Sequence, residues 1–579
     1  MAMLSGAQIL IESLVREGAE AVFGYPGGVT LPIYDVLYSH PLRHVLVRHE
    51  QNAAFAAQGY ARATGKAGVC MATSGPGATN LTTGLVDALM DSIPVVAITG
   101  QVPQALIGRD AFQEADTFGI SRSATKHNYL VKDIGELAQT VHEAFHIAVS
   151  GRPGPVLVDI TKDVLLSEAD YSDEQAMLPL RGYRLADEPA ADAIQRAVEF
   201  LWQAERPYIY AGGGVISSSA SAELVRFSEL LEAPLAHTVM GLGAMPTDHP
   251  NFISMLGMHG SYAANMGVTQ CDALIGLGVR FDDRVTGRLD KFAPGAKVLH
   301  VDIDPAEINK NRRADLGVVG DAKSVLRLLN EGLAHTRATL GRERREERVA
   351  WMEHVRAMKR DHPYLYEESA DEIKPQTLMR KLDQISGGEA IVTVDVGQHQ
   401  MWAAQHLRFN HPRLWQSSSG LGSMGFGLPA AVGAKFACPD KTVMAIVGDG
   451  GFMMSLPELG TIAANRLPVK IIVMNNNTLG MVRQWQQLFY GKRYSEVDVA
   501  SFPDASLLAA AFGIAGGSVA DPADLDDALA HAFDEPGPYL LNVQVTPEEC
   551  VYPMVPAGGA VNEMILKPEP EPAEAVTGD

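Results

Sequence analysis

Cysteine is scarce: Cys70, Cys271, Cys438 and Cys550 are the only four in 579 residues, and none has C-x-x-C spacing. This argues against a zinc ribbon or a disulfide framework and leaves four reduced thiols. Basic residues are outnumbered, 47 Lys and Arg against 69 Asp and Glu, for a formal net charge of −22. A broad attraction to nucleic acid or to an anionic membrane is therefore not expected, although local arginines and backbone amides still suffice to bind an anionic substrate. No run of about 18 apolar residues is present to span a membrane. The first residues, M-A-M-L-S-G-A-Q-I-L, lack the basic stretch and apolar core of a signal peptide, and they lack a basic transit segment. The expectation is a cytoplasmic protein. No short-period repeat is present either.

What is present is an ordinary globular composition, 46% hydrophobic and 20% charged, in a chain long enough for about three domains. Strand and helix signals alternate from the start. Ser5 is placed to cap an amphipathic helix that stops near Gly18. Short apolar runs at Ala21–Phe23, Val45–Val47, Val69–Thr73, Pro94–Thr99 and Val156–Ile160 read as strands, with helices over about Glu50–Arg62 and Ala78–Met90 between them. The polar stretch Ser167–Pro189 reads as a linker. The pattern resumes with strands at Tyr208–Ala211, Ala273–Leu277 and Val298–Ile303. The charged segment Gly341–Pro363 reads as a helical connector to strands at Ile391–Val394, Thr442–Val447, Ile471–Asn475 and Leu540–Val545. Apolar β-branched strands between helices predict parallel sheets covered on both faces. The fold class is therefore α/β, with three doubly wound domains over residues 1–166, 190–340 and 374–550. The K-P-E-P-E-P tail, 567–579, is expected to be disordered.

The sharpest motif is V-M-A-I-V-G-D-G-G-F, with Gly448-Asp449-Gly450 at the end of an apolar run. A second run follows an intervening helix and ends I-I-V-M-N-N-N, at Asn475 and Asn476. Parallel strands bring both ends to one sheet edge, where α/β proteins bind ligands. Asp449 and Asn476 then supply hard oxygen donors of the kind that suit Mg²⁺ carrying phosphate oxygens. Gly448 and Gly450 let the backbone approach a diphosphate. Taken singly, each motif is an ordinary turn; the pair, each after its strand, resembles the signature of thiamine-diphosphate enzymes. By that resemblance Asp449 and Asn476 are side-chain metal ligands and Thr478 offers its backbone carbonyl. Gly420–Gly425 matches G-x-G-x-x-G, but its approach W-Q-S-S-S is a poor strand, which argues against a nicotinamide site. In the thiamine family Met424 is the apolar wedge under the cofactor, and glycines such as Gly422 make room for its pyrimidine. Gly59–Lys66 is no P-loop, since its spacing is wrong and Ala67 follows.

Glu50 lies in L-V-R-H-E-Q-N-A-A-F, where a strand becomes a helix. On its own it is a first-turn acid complementing the helix dipole. Thiamine chemistry, however, needs one carboxyl group to exchange a proton with the cofactor's pyrimidine, which then activates the thiazolium carbon. R-H-E-Q-N-A resembles the family segment R-H-E-Q-x-A, and Glu50 stands at its glutamate.

Further segments narrow the resemblance to the acetolactate synthase family: T-S-G-P-G-A-T-N (Thr73–Asn80), D-A-F-Q-E (Asp110–Glu114), R-P-G-P-V-L-V-D-I-T-K-D, G-V-R-F-D-D-R-V-T-G, H-V-D-I-D-P-A-E-I and G-M-V-R-Q-W-Q-Q-L-F-Y. The resemblance implies reaction-centre roles for Phe112, Gln113 and Met481, a substrate-channel lysine at Lys162, and acceptor recognition by Arg284 and Trp485 beside Val396. It implies cofactor contacts at Val396, Gln398 and His399, and a middle domain that binds FAD. Arg152, Gly213, Met258, His259, Arg280, Asp282, Asp302, Asp304 and Asp321 are its candidate cofactor residues. Each of these residues also has a plainer reading, as core, surface ion pair or interface aromatic.

The implied domains are pyrimidine-binding, FAD-binding and diphosphate-binding in chain order. The implied activity decarboxylates pyruvate and joins the remaining two-carbon unit to a second pyruvate or to 2-ketobutyrate, the first common step of branched-chain amino acid synthesis. The implied assembly is a homodimer or homotetramer with a small regulatory subunit. A flavin-linked pyruvate oxidase and a non-catalytic regulatory homologue are the competing readings. Glyoxylate carboligase, a nearer relative, lacks the glutamate found here as Glu50.

Overall fold

A computed structural model describes residues 2–171, 180, 182–183, 185, 188–339, 343–499 and 501–567. The tail expected to be disordered lies outside these residues but for Lys567, as does most of the proposed linker. The linker's first residues, Glu168–Tyr171, form a strand instead, antiparallel to Ala2–Ser5.

The chain divides into two compact units, one holding the chain up to Glu188 and Glu368–Glu549, the other Pro189–Glu367 and the residues from Cys550. The first unit contains two six-stranded parallel sheets and the second contains one. The three-sheet α/β architecture expected from the alternating runs is therefore present. In the first sheet the order is Arg43–Leu46, Ala21–Gly24, Gly68–Ala72, Val95–Gln101, Pro155–Thr161, His127–Val131. In the other sheet of that unit it is Trp415–Ser417, Ile391–Val394, Val443–Gly448, Val469–Asn475, Tyr539–Gln544, Ala515–Val519. In both, the chain starts one strand in from an edge, goes outward, then crosses over to the other side. That crossover creates a switch point where two loops diverge and leave a crevice.

Local sequence explains most elements. Ser5 accepts from the Gln8 amide while the Gln8 side chain returns to the Ser5 amide, a reciprocal cap for the helix Gly6–Arg16. Val469–Asn475 is buried throughout, and its Lys470 reaches the Glu535 and Gly537 carbonyls with its ammonium. The helix expected over Ala78–Met90 is two, Pro76–Asn80 and Thr82–Asp91, with Leu81 between them. W-Q-S, read as a poor strand, is one: Trp415–Ser417 pairs in parallel with Val392–Val394. Its neighbour, not its propensity, decides the matter. The glycine-rich Ala515–Val519 likewise takes the opposite edge.

The two sheets of the first unit are joined by the helices Glu50–Thr64 and Gly427–Ala437. These approach so closely that a Cβ on Gly59 would overlap the Ala430 carbonyl, and one on Gly433 the Ala56 carbonyl. Phe55 and Phe426 meet edge to face beside this crossing, 5.4 Å between ring centroids. Gly433→Ala should therefore destabilise the chain by about 1–3 kcal/mol, the usual cost of forcing atoms into a packed core. Gly28→Ala, where a Cβ would meet nothing within 4 Å, should be nearly neutral. Denaturant midpoints of the two variants check the contrast, and equal midpoints would contradict the backbone contact.

Candidate active site

A cleft opens at the switch point between Ile391–Val394 and Val443–Gly448. Its walls are Val396–His399 after the first of these strands and Gly448–Gly451 after the second. Asn476, Thr478 and Met481 close it from the end of Val469–Asn475, and Met424 enters from the loop before helix Gly427–Ala437. The structure thus brings together, from four separate segments, Val396, Gln398, His399, Met424, Gly448, Asp449, Gly450, Asn476, Thr478 and Met481.

Asp449 is the first residue of helix Asp449–Ser455 and is buried. One carboxylate oxygen accepts from the Gly450 amide at 2.7 Å and the other makes no hydrogen bond. Burial pushes its carboxyl up to about 6, against the pull of surrounding backbone amides. Asn476 accepts from the Thr478 amide at 3.2 Å and presents its amide nitrogen to Gln398. Gln398 is held by Gln484 at 2.8 Å and by the Glu549 carbonyl. His399 is buried, its imidazole lowered to about 4 by desolvation and so neutral, and its Nε2 has no partner. Its ring lies 2.8 Å from where a Cβ on Gly397 would stand and 2.9 Å from one on Gly448. Those glycines leave the ring its place.

An unsatisfied carboxylate oxygen and an unsatisfied imidazole nitrogen in one crevice are costly unless a ligand completes them. The donor set is one carboxylate, one amide oxygen and one available backbone carbonyl. Among the described residues no group of three or more His, Cys, Asp or Glu could hold a metal ion by itself. So sparse a set suits Mg²⁺ that takes its remaining oxygens from phosphate and water. The residues fit a magnesium diphosphate.

None of the cleft's lining residues comes from the amino-terminal sheet. A second group of expected residues assembles on that sheet. Glu50 begins helix Glu50–Thr64, half-buried, with one oxygen accepting from Asn80 at 3.0 Å. Asn80 ends T-S-G-P-G-A-T-N, and Gly75 of that segment (φ +60°) packs so tightly that a Cβ would lie 2.7 Å from the Gln113 carbonyl. The segment thus ties Glu50 to Gln113, whose own φ is +59°. Phe112 beside it is 88% exposed. Glu114 braces this loop by accepting from the Gly108 and Ala111 amides. Lys162 starts the short helix Lys162–Leu166 at the end of Pro155–Thr161. Trp485 is on helix Gly480–Phe489, its ring against Phe489 and outside the cleft lining.

The second unit's sheet has its own switch point, between Pro207–Ala211 and Ala273–Leu277. Gly212–Gly214 and Gly278–Arg280 follow these strands. A Cβ on Gly214 would lie 2.7 Å from the Gly278 backbone, so this glycine serves strand-end packing. Arg280 pairs with Asp282 at 3.7 Å, and the Asp282 carboxylate accepts from the Arg284 amide. Asp302 accepts from the Asp304 amide, Asp304 from that of Ala306, and Asp321 from those of Lys323 and Ser324. His259, held near neutral form by burial, faces the Pro553 carbonyl at 3.1 Å, and the Met258 carbonyl accepts from the Val555 amide. Arg152 lies in the other unit, where its Nε donates to Ser92.

Comparison with known proteins places this geometry. Residues 4–120, 194–329 and 395–543 match the N-terminal TPP binding, central and C-terminal TPP binding domains of thiamine pyrophosphate enzymes. The acetolactate synthase isozyme 2 large subunit of Escherichia coli is 48% identical over 97% of this chain and 100% of its own length. The chain belongs to the acetolactate synthase family of thiamine-diphosphate enzymes. The chloroplastic acetolactate synthase of Arabidopsis thaliana is 47% identical, covering 97% of this chain and 84% of that protein. A probable acetolactate synthase large subunit from Methanocaldococcus jannaschii is 46% identical over 98% and 96%.

Two residues of this family site escaped the sequence reading. Asp395 follows its strand as Asp449 does, in V-D-V-G. Its buried carboxylate accepts from the Val396 and Gly425 amides and so holds the Met424 loop. The signal was available, a second Asp-x-Gly after an apolar strand. Gln484, the buried partner of Gln398, carried none, because nothing local distinguishes it from its neighbours in Q-W-Q-Q. The unsatisfied His399 nitrogen predicts that His399→Phe keeps the fold but binds thiamine diphosphate with Mg²⁺ about 10–100-fold more weakly, the loss of one charge-assisted hydrogen bond. Calorimetric titration checks this, and wild-type affinity would remove His399 from the site.

Proposed function

We propose that this chain is the catalytic subunit of an acetolactate synthase working in the cytoplasm on pyruvate and 2-ketobutyrate, at the entry to branched-chain amino acid synthesis. The observation that carries the proposal is the cleft at the third sheet's switch point, where Asp449 and His399 each present an unsatisfied polar atom beside Asn476 and Thr478. In this reading residues 1–166, 190–340 and 374–550 are the pyrimidine-, FAD- and diphosphate-binding domains. Asp449, Asn476 and the Thr478 carbonyl hold Mg²⁺, His399 and Gln398 with the backbone at Gly448 and Gly450 hold the diphosphate, and Met424 supports the cofactor with Gly422 beside it. When bound, thiamine diphosphate supplies a thiazolium carbon that adds to a keto carbon and takes up the electrons released with carbon dioxide. Glu50 holds and exchanges the proton at the pyrimidine nitrogen. Phe112, Gln113 and Val396 shape the reaction centre, and Lys162 lines the way in. Arg284 binds the acceptor carboxylate, and Trp485 with Met481 contacts the extra methylene of 2-ketobutyrate.

FAD has a structural part in this reading, since the net reaction moves no electrons to an outside acceptor. The second unit's switch point, with Gly213, Arg280, Asp282, Asp302 and Asp304 around it, supports that placement, to which Met258, His259, Asp321 and Arg152 are added. The test is incubation of purified protein with both keto acids, Mg²⁺ and thiamine diphosphate under anaerobic conditions. Acetolactate and acetohydroxybutyrate are expected, with the latter favoured by about 10–200-fold per unit acceptor concentration, the range one methylene contact supports. Trp485→Leu should lose most of that preference. Turnover only with an added electron acceptor would indicate an oxidase instead.

Glu50 and the metal-binding cleft belong to different residue groups within one chain, which supports a site completed between two copies, in a homodimer or a homotetramer. A small regulatory subunit is proposed alongside, because relatives of this chain are named as large subunits. Mixing inactive Glu50→Gln and Asp449→Ala chains should restore activity, with about a quarter of the sites intact after random exchange of dimers. Mixed dimers that form without regaining activity would rule out the shared site.

A further inference from the structure

The loop that carries Met424 into the cleft is gripped from two sides. Asp395 of the same sheet accepts from the Gly425 amide at 2.9 Å. The other grip comes from the amino-terminal half of the unit, more than 300 residues away in sequence, through two aspartates of helix Thr82–Asp91. Asp87 accepts from the Ser418 hydroxyl and, at 3.1 Å, from that of Ser423, the residue before Met424. The Ser423 amide donates in turn to the Ser418 hydroxyl at 2.7 Å. Asp91 accepts from the Ser419 amide at 3.0 Å and the Gly420 amide at 2.7 Å. Arg62 pairs with Asp91 at 2.8 Å, and its guanidinium lies over the Phe426 ring at 5.2 Å.

All three charged residues are buried. Two carboxylates and one arginine in a dry interface are an expensive way to join two domains, since apolar side chains of similar volume serve at least as well for stability. What the carboxylates add is direction: each takes two donors from one short loop and sets its path. That path delivers Met424, whose terminal carbon comes within 3.6 Å of where a Cβ on Gly450 would stand.

We propose that Asp87 and Asp91 are positioning residues for the thiamine diphosphate site, acting through the Ser418–Ser423 loop to hold Met424 in the cleft. The proposal rests on the reading of Met424 as the support of the bound cofactor. The two aspartates touch neither cofactor nor substrate.

The experiment is a double-mutant cycle in the full chain: Asp87→Asn, Met424→Ala and the two combined, with Ser423→Ala as a smaller perturbation of the same loop. The readouts are affinity for thiamine diphosphate in the presence of Mg²⁺, by calorimetry, and the hydrogen–deuterium exchange rate at C2 of the bound cofactor. Each single change should weaken binding by about ten-fold, one hydrogen bond's worth, and slow exchange, while the double variant falls no further than the worse single. Additive effects, or wild-type affinity and exchange in Asp87→Asn and Ser423→Ala while Met424→Ala is impaired, would overturn the proposal. Wild-type behaviour of Met424→Ala would instead overturn the support reading, and the proposal with it. Should Asp87→Asn fail to fold, Ser418→Ala takes its place in the cycle, since it removes one hydroxyl and leaves both carboxylates in place, with Asp91 still paired to Arg62.

Discussion

The contact on which the site depends is between two helix backbones. Glu50–Thr64 and Gly427–Ala437 cross where Gly59 and Gly433 leave no room for a side chain. One of these helices begins with Glu50, and the other begins three residues after Met424. Because both are rigid and touch backbone to backbone, the crossing sets where Glu50 and the Met424 loop stand on their two sheets. The Phe55–Phe426 pair and the Arg62–Asp91 ion pair lie beside the crossing and extend it. A helix pair separated by larger side chains would tolerate sliding and rotation, and the loops at its ends would follow.

A related constraint is electrostatic. The chain is acidic overall, yet its site takes an anionic cofactor. The cleft is lined by no cluster of basic residues but by strand ends rich in glycine, the Asp449 carboxylate and the neutral His399 imidazole. Buried carboxylates do several different jobs nearby. Asp395, lifted to about 6 by burial, orders the backbone entering helix Gly427–Ala437. Glu458 accepts from the Arg48 amide and from Asn52, and so ties the start of the Glu50 helix to the segment that follows helix Asp449–Ser455. Asp449 keeps one oxygen unused, and so does Asp87, whose other oxygen takes the Ser418 and Ser423 hydroxyls. What sets Asp449 apart is that it lines the cleft, beside Asn476 and Thr478.

Much of this was legible in the sequence. Apolar β-branched runs marked the central strands because strands buried on both faces need no alternation. Gly448-Asp449-Gly450 and Asn475-Asn476 stood out because each ends such a run, and R-H-E-Q-N-A and G-M-V-R-Q-W carried enough family character to identify the chemistry. Edge strands were less visible. Trp415–Ser417 and Ala515–Val519 have weak propensity and exist because a neighbouring strand offers its hydrogen bonds. Leu81, between two helices, also gave no local sign of a break.

By itself, then, the sequence determined the alternation that makes parallel sheets, which follows from short-range pattern, and it offered candidates for Mg²⁺, diphosphate and proton exchange through their resemblance to a family, since Glu50 in its local sequence is only a first-turn acid. Tertiary structure alone decided which of them share a cleft. It brought Val396–His399 and Gly448–Gly451 together because their strands are neighbours across a switch point, a fact of strand order that no local window contains. It kept Glu50 out of that lining and joined it to Gln113 through Asn80 and Gly75. It also set Asp87 and Asp91 against Ser418–Ser423 across more than 300 residues of chain. Hydrogen bonds of such span depend on how two domains pack, and packing is a property of the whole fold.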